Sequence, residues 1–124
     1  MRTKTLGDIG EKIAEEYLKG KGYKILDINF RYKKLGEIDL VAEKGGEVIF
    51  FEVKTRMKKG ISEFMPEDNI TYQKQKKLIK LAQIWLAKRK LNEVDWQIDI
   101  LAIEVYRDNT HDIRHLENAI GDMY

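Results

Sequence analysis

Apolar residues recur along this chain with two periods. Leu6, Ile13, Ala14, Tyr17 and Leu18 fall at helical spacing and Gly20 and Gly22 close the segment, so a helix is expected from about Leu6 to Lys19. Tyr23 to Tyr32 interleaves Tyr, Ile and Phe with charges and reads as a strand. Glu37 to Glu43 and Glu47 to Thr55 are two more strands. Lys44-Gly45-Gly46 between them signals a hairpin, because glycine supplies the positive φ that a tight primed turn needs. Met57 to Ile70 is irregular and holds Pro66, the one proline. Thr71 to Lys90 returns to the helical period, with Leu78, Leu81, Ala82 and Trp85 on one stripe. Gln97 to Tyr106 is a nearly all-apolar strand around Asp99, and Ile113 to Leu116 adds a short edge strand. The order of helix, three strands, helix, and one or two strands predicts an α/β fold with a mixed sheet flanked by helices.

A chain of 124 residues suits one domain spanning residues 1–124 and is long enough for a sizeable core. It has no cysteine, which excludes a disulfide scaffold, a thiolate zinc site and cysteine catalysis, and fits a reducing cytoplasm. The first residues carry no apolar stretch of a signal peptide. No apolar run approaches the roughly 20 residues of a membrane helix. The expectation is a cytoplasmic protein with no membrane partner.

The formal net charge of +2 conceals an asymmetry. Residues 1–90 hold 21 Lys/Arg against 13 Asp/Glu, whereas residues 91–124 hold 2 against 8. A basic body of this kind attracts polyanions. Thr71 to Lys90 alone has seven Lys/Arg and no acidic residue, with Lys54, Arg56, Lys58 and Lys59 before it and Lys33-Lys34 entering the hairpin. Such a stripe suits a phosphate backbone, and no base-reading motif accompanies it.

The hairpin carries the most informative chemistry. Strand side chains alternate faces, which puts Glu37, Asp39 and Val41 on one face of one strand and Val48, Phe50, Glu52 and Lys54 on one face of the next. With a two-residue Gly45-Gly46 turn, Lys44 opposes Glu47, Asp39 opposes Glu52 and Glu37 opposes Lys54. A three-residue turn would slip that register by one. Like charges directly opposed destabilise a sheet, so the pair invites a cation, and Mg²⁺ is the natural one. Lys54 could hold a nucleophilic water or neutralise charge on a phosphate. The other face, with Ile38, Leu40, Ile49, Phe51 and Val53, supplies a core. Val41, Val48 and Phe50 make the polar face half apolar, as in a cleft covered by another element. Glu11 borders the buried stripe of the first helix and can add a third carboxylate. Lys74 continues the stripe of the second helix inward at its first turn, which suggests an anion partner there. His111 and His115 lie in the acidic tail without a metal-binding pattern and read as structural.

These residues together resemble the PD-(D/E)xK nuclease superfamily. More closely, the chain resembles the small bacterial YraN family, related in fold to archaeal Holliday-junction resolvases. The blocks that carry the resemblance are Gly7-Asp8-Ile9-Gly10-Glu11, Gly22-Tyr23-Lys24-Ile25-Leu26 with Asn29-Phe30-Arg31, Gly36-Glu37-Ile38-Asp39-Leu40 and Phe51-Glu52-Val53-Lys54-Thr55-Arg56. Lys74-Gln75, Asp99 and His115-Leu116-Glu117-Asn118-Ala119 match later positions. Gln97-Ile98-Asp99-Ile100 and the loop Met57 to Ile70 depart from the family's usual pattern. The resemblance implies a restriction-endonuclease-like α-β-β-β-α-β core. It implies that Asp39 and Glu52 bind Mg²⁺ or Mn²⁺, with Glu11 as the acid of the first helix, and that Lys54 assists hydrolysis. Lys74 or Gln75 would be the accessory residue. Arg31, Lys33, Lys34, Arg56, Lys74, Gln75 and Lys77 are the residues expected at a nucleic-acid backbone.

The expected activity is metal-dependent hydrolysis of DNA phosphodiester bonds, as an endonuclease or exonuclease acting on branched or damaged DNA. The alternatives are a non-catalytic DNA-binding or repair-accessory module, and a protein-interaction domain whose acidic C-terminal segment docks a basic partner. Junction resolvases act as pairs, so the resemblance also admits a homodimer.

Overall fold

The computed structural model describes residues 4–58 and 65–120. The first helix, α1 (Leu6–Gly20), starts at a capping box in which the Thr5 hydroxyl accepts from the Asp8 N–H and the Asp8 carboxylate accepts from the Thr5 N–H, both at 3.1 Å. It buries Gly10, Ala14 and Leu18, one residue per turn, against the sheet. Gly10 is required by that contact. A Cβ there would lie 1.7 Å from the Thr55 hydroxyl oxygen, so the helix backbone rests directly on the strand.

The strands are β1 (Lys24–Arg31), β2 (Glu37–Lys44), β3 (Glu47–Met57), β4 (Trp96–Val105) and β5 (His111–Leu116), with α2 (Tyr72–Lys88) between β3 and β4. They form one sheet in the order β1-β2-β3-β4-β5. β3 and β4 are parallel and the other neighbours antiparallel. A parallel pair needs a crossover, and α2 supplies it. This is the α-β-β-β-α-β order of a restriction-endonuclease-like core. The predicted elements agree with it to within two residues at most ends. Residues 59–64 of the predicted irregular loop, with Lys59, lie outside the described residues, and its later part contains a 3₁₀ turn, Pro66–Asn69. No described helix is long and apolar enough to cross a membrane.

The sheet has a core on each face, as strand alternation requires. Ala14 and Leu18 of α1 pack with Leu40, Ile49, Phe51, Leu101 and Ile103. Leu78, Leu81, Ala82 and Trp85 of α2 pack with Val41, Val48, Phe50 and Ile98. α2 therefore covers the polar-edged face of the hairpin. One assignment is corrected. Ile38 and Leu40 are expected on one face, but Ile38 joins the α2 core and Leu40 the α1 core. At the same place Asn29 of β1, between the paired residues Ile28 and Phe30 and facing the Asp39 position, has a left-handed φ of 53°, and the ladder skips the Asn29–Asp39 pair. A second irregularity between Ile25 and Asp27 lets the Asp27 carboxylate accept from the Trp85 indole N–H at 2.9 Å.

Candidate metal and phosphate cleft

Gly45 and Gly46 have φ of 60° and 81°, as a primed two-residue turn requires. The register follows: Lys44 pairs with Glu47, and the ladder runs back to Leu40 and Phe51. The next pair in that register is Asp39 with Glu52, and there the ladder stops. The Val53 N–H bonds the Asp39 carboxylate instead of a strand carbonyl, at 2.7 Å. The strands part where the two acids stand, and this opens a cleft of about 460 Å³ between the sheet and α2. Glu37, Asp39, Glu52, Lys74 and Lys77 supply its charged lining, with Leu35, Leu78 and Leu81 on its apolar side.

Glu52 is only 4% exposed. Its Oε1 lies 3.0 Å from the Lys74 Nζ and 3.9 Å from the Lys54 Nζ. Its Oε2 is buried and has no hydrogen-bond partner among the described residues. The anion partner that an inward lysine on α2 suggested is thus Glu52. Burial pulls the Lys74 ammonium down, but the charge and hydrogen bond of Glu52, with Asp39, outweigh this and leave the net shift upward.

Asp39 is pushed up to about 8 from an ordinary 3.8. Burial is the main cause and repulsion from Glu52 the next, with Glu11 and Glu37 adding to it and the Val53 N–H opposing. Glu11 reaches the same place from α1. Burial raises its carboxyl most, a hydrogen bond with Asn29 opposes, and Glu37 adds repulsion. Glu11, Glu37 and Asp39 offer carboxylate oxygens within 4.8 Å of one another. A hard divalent ion suits such a donor set, and the partnerless Glu52 oxygen beside it fits the same requirement.

The structure therefore gathers Glu11, Asp39, Glu52, Lys54, Lys74 and Lys77. Of the other expected residues, Arg31 reaches the cleft through Glu37, and Lys33, Lys34, Arg56 and Gln75 lie elsewhere. Arg56 pairs with Glu104 of β4 at 3.3 Å. The Gln75 amide bonds the Ile70 carbonyl at 3.4 Å, and Gln73 lines the cleft in its stead. Arg31 is paired with Glu37, Lys33 lies over the Tyr32 ring at 5.2 Å, and Lys34 is exposed. Glu37 and Asn29 are members that sequence reasoning did not assign to the site. Glu37 was readable in principle, since it shares Asp39's face at two-residue spacing. Asn29 was not, because its role rests on a left-handed backbone inside a strand.

A model of the Uncharacterised protein family UPF0102 matches residues 10–103, which hold all of these cleft residues. Curated relatives agree. A UPF0102 protein of Caldanaerobacter subterraneus is 40% identical over 120 residues, covering 94% of each chain. One of Clostridioides difficile is 41% identical over 119 residues, 96% of this chain and 99% of its own. One of Alkaliphilus oremlandii is 39% identical over 117 residues, 94% and 97%. With a matching family model over most of its length and relatives of this similarity end to end, the chain belongs to the UPF0102 family, the YraN type that its sequence blocks resemble.

Proposed function

We propose that the cleft is the active site of a metal-dependent nuclease hydrolysing DNA phosphodiester bonds. The observation that carries this reading is the Glu52 Oε2 atom, buried and without a partner among the described residues, beside a second carboxylate whose proton affinity is raised by burial and by Glu52 itself. That is the electrostatic signature of a site short of positive charge. Asp39 and Glu52, with Glu11 and Glu37 beside them, would hold Mg²⁺ or Mn²⁺. A divalent ion there supplies Lewis-acid activation of a phosphoryl oxygen and of water.

The chain's own groups do the rest. Lys54, within ion-pair distance of Glu52, orients the attacking water and neutralises charge that develops on the phosphate. Lys74 and Lys77 line the cleft from α2 and hold the backbone phosphates, and the absence of acidic residues from the first turn of α2 keeps that wall positive. Leu35, Leu78 and Leu81 exclude water from one side.

The test is cleavage of labelled junction, flap and single-stranded DNA with Mg²⁺ or Mn²⁺. Asp39→Ala and Lys54→Ala should each lose at least about 100-fold in rate, the scale of a removed charge-stabilising group. Absence of cleavage by the unmodified protein on every substrate would overturn the reading. A second reading, a non-catalytic DNA-binding or repair-accessory module, rests on the exposed Lys76, Lys77 and Lys80 of α2. It keeps salt-dependent DNA binding, and in it Asp39→Ala leaves function intact.

A further inference from the structure

A second polar constellation lies on the α1 face of the sheet. Its pocket, of about 280 Å³, is lined by Tyr17, Lys21, Tyr23, Lys44, His115 and Glu117. At its base the His115 Nε2 stands 2.7 Å from the Asp99 Oδ2, and Asp99 is fully buried. The other Asp99 oxygen accepts from the Asn118 N–H and the Gln97 amide, both at 2.8 Å. The Tyr17 hydroxyl lies 3.1 Å from the His115 Nδ1.

This arrangement fixes where a proton can go. An ionised Asp99 only accepts, so Nε2 carries a hydrogen. A neutral His115 then accepts the Tyr17 O–H at Nδ1. A protonated His115 donates from Nδ1 to the Tyr17 oxygen and frees the Tyr17 O–H to point into the pocket. Two ammonium groups line the same pocket: Lys21, 5.8 Å from the centre of the Tyr17 ring, and Lys44, 4.7 Å from that of Tyr23. Neither makes an ion pair among the described residues.

We propose that this pocket binds a phosphate-type dianion through Lys21, Lys44 and the Tyr17 hydroxyl, with uptake of a proton on His115. The inference stands apart from the nuclease reading, since it uses no cleft residue. The groups facing His115 are Tyr17 from α1, Lys21 just after α1, Tyr23 ahead of β1, Lys44 from β2, Asp99 from β4 and Glu117 after β5. Asp99, His115 and Glu117 also offer ligand atoms within 4.8 Å of one another, as a cation site would. A cation is disfavoured because both His115 nitrogens and both Asp99 oxygens are already engaged, and two ammonium groups share the pocket. The exposed Glu117 repels an anion and would attract a cation, so it separates the two readings.

The experiment is NMR of the full chain carrying His111→Gln, which leaves His115 as its one histidine. Inorganic phosphate should shift the His115 ring resonances saturably. Sulfate, whose own charge does not change near neutral pH, should bind more tightly as pH falls, by at most about tenfold per unit for one linked proton. Lys21→Met and Lys44→Met should each weaken binding about fivefold, the scale of one partly exposed ion pair. Glu117→Gln should tighten it. A 5′-phosphorylated dinucleotide that binds more tightly than its 5′-hydroxyl form and than phosphate identifies a nucleic-acid end as the source of the anion, and equal affinity with phosphate identifies the free ion. Ring resonances unmoved by either anion would overturn the proposal. So would a shift produced by a divalent ion alone and lost in Glu117→Gln.

Discussion

Two buried carboxylates lie almost side by side on opposite faces of this sheet. Asp99 of β4 pairs with Phe51, the residue before Glu52 of β3. Both are nearly inaccessible, at 0% and 4% exposure. Their accounts of partners differ. Asp99 meets His115, Asn118 and Gln97, so that each oxygen is engaged. Among the described residues Glu52 meets two ammonium groups at one oxygen and no hydrogen-bond partner at the other, and the neighbouring Asp39 resists ionisation. Burial is common to both and decides nothing. What separates the two is whether the charge is answered inside the protein.

The comparison can be broken most directly at Asp99. Asp99→Ala strips His115 and the Asn118 N–H of their partner and should cost about 3–5 kcal/mol in urea unfolding. Substitution of Glu52 should behave oppositely. Next in size is the effect of a divalent ion. Mg²⁺ at about 100 times its Kd should stabilise the fold by about 2.7 kcal/mol in a thermal melt, and Asp39→Ala should abolish the gain. The pH dependence has a definite sign. Asp39 is held near 8 in the fold against 3.8 ordinarily, so the folded chain keeps a proton that the unfolded chain has released. Without the ion, the stability from this group is fully present below about 4 and is lost as pH rises through about 8. The Mg²⁺ gain should therefore grow over the same range, and Asp39→Asn should flatten both trends.

Gly10→Ala tests the positioning of Glu11 rather than the charges. Its Cβ would collide with Thr55, so about 1–3 kcal/mol should be lost, with weaker Mg²⁺ binding as α1 lifts away. Thr55→Gly should restore part of both. The smallest effect is expected from Glu52→Gln without divalent ion. It removes the repulsion on Asp39 and leaves Lys74, which is 42% exposed, to water, so unfolding should change by less than about 1 kcal/mol. A loss as large as that of Asp99→Ala would mean that Glu52 is a structural acid after all.

Much of the cleft was legible because it depends on counting. A glycine pair fixes the hairpin register, the register aligns Asp39 with Glu52, and a helical period turns Lys74 inward. What escaped depends on contacts between distant segments or on one unusual backbone angle. Arg114 of β5 clasps Glu67 across 47 residues, and Tyr17 meets His115 across 98. No local period encodes either. Asn29 carries its φ of 53° without a glycine to announce it, and the change of face between Ile38 and Leu40 opposite it was likewise unforeseen. His115 read as structural, and its link to Asp99 suits that reading, while the lysines gathered around it were invisible in the spacing.

The irregular β1 has a consequence for how these molecules share a solution. It is a border of the sheet, where unpaired N–H and C=O groups ordinarily invite a second chain to add a strand. Here the border is interrupted between Ile25 and Asp27 and bent again at Asn29, and it ends in exposed Lys24 and Arg31. A neighbour finds no straight run of backbone to zip onto, and it meets like charge when it tries. The kink that brings Asn29 to Glu11 thus also guards the sheet against edge-to-edge aggregation.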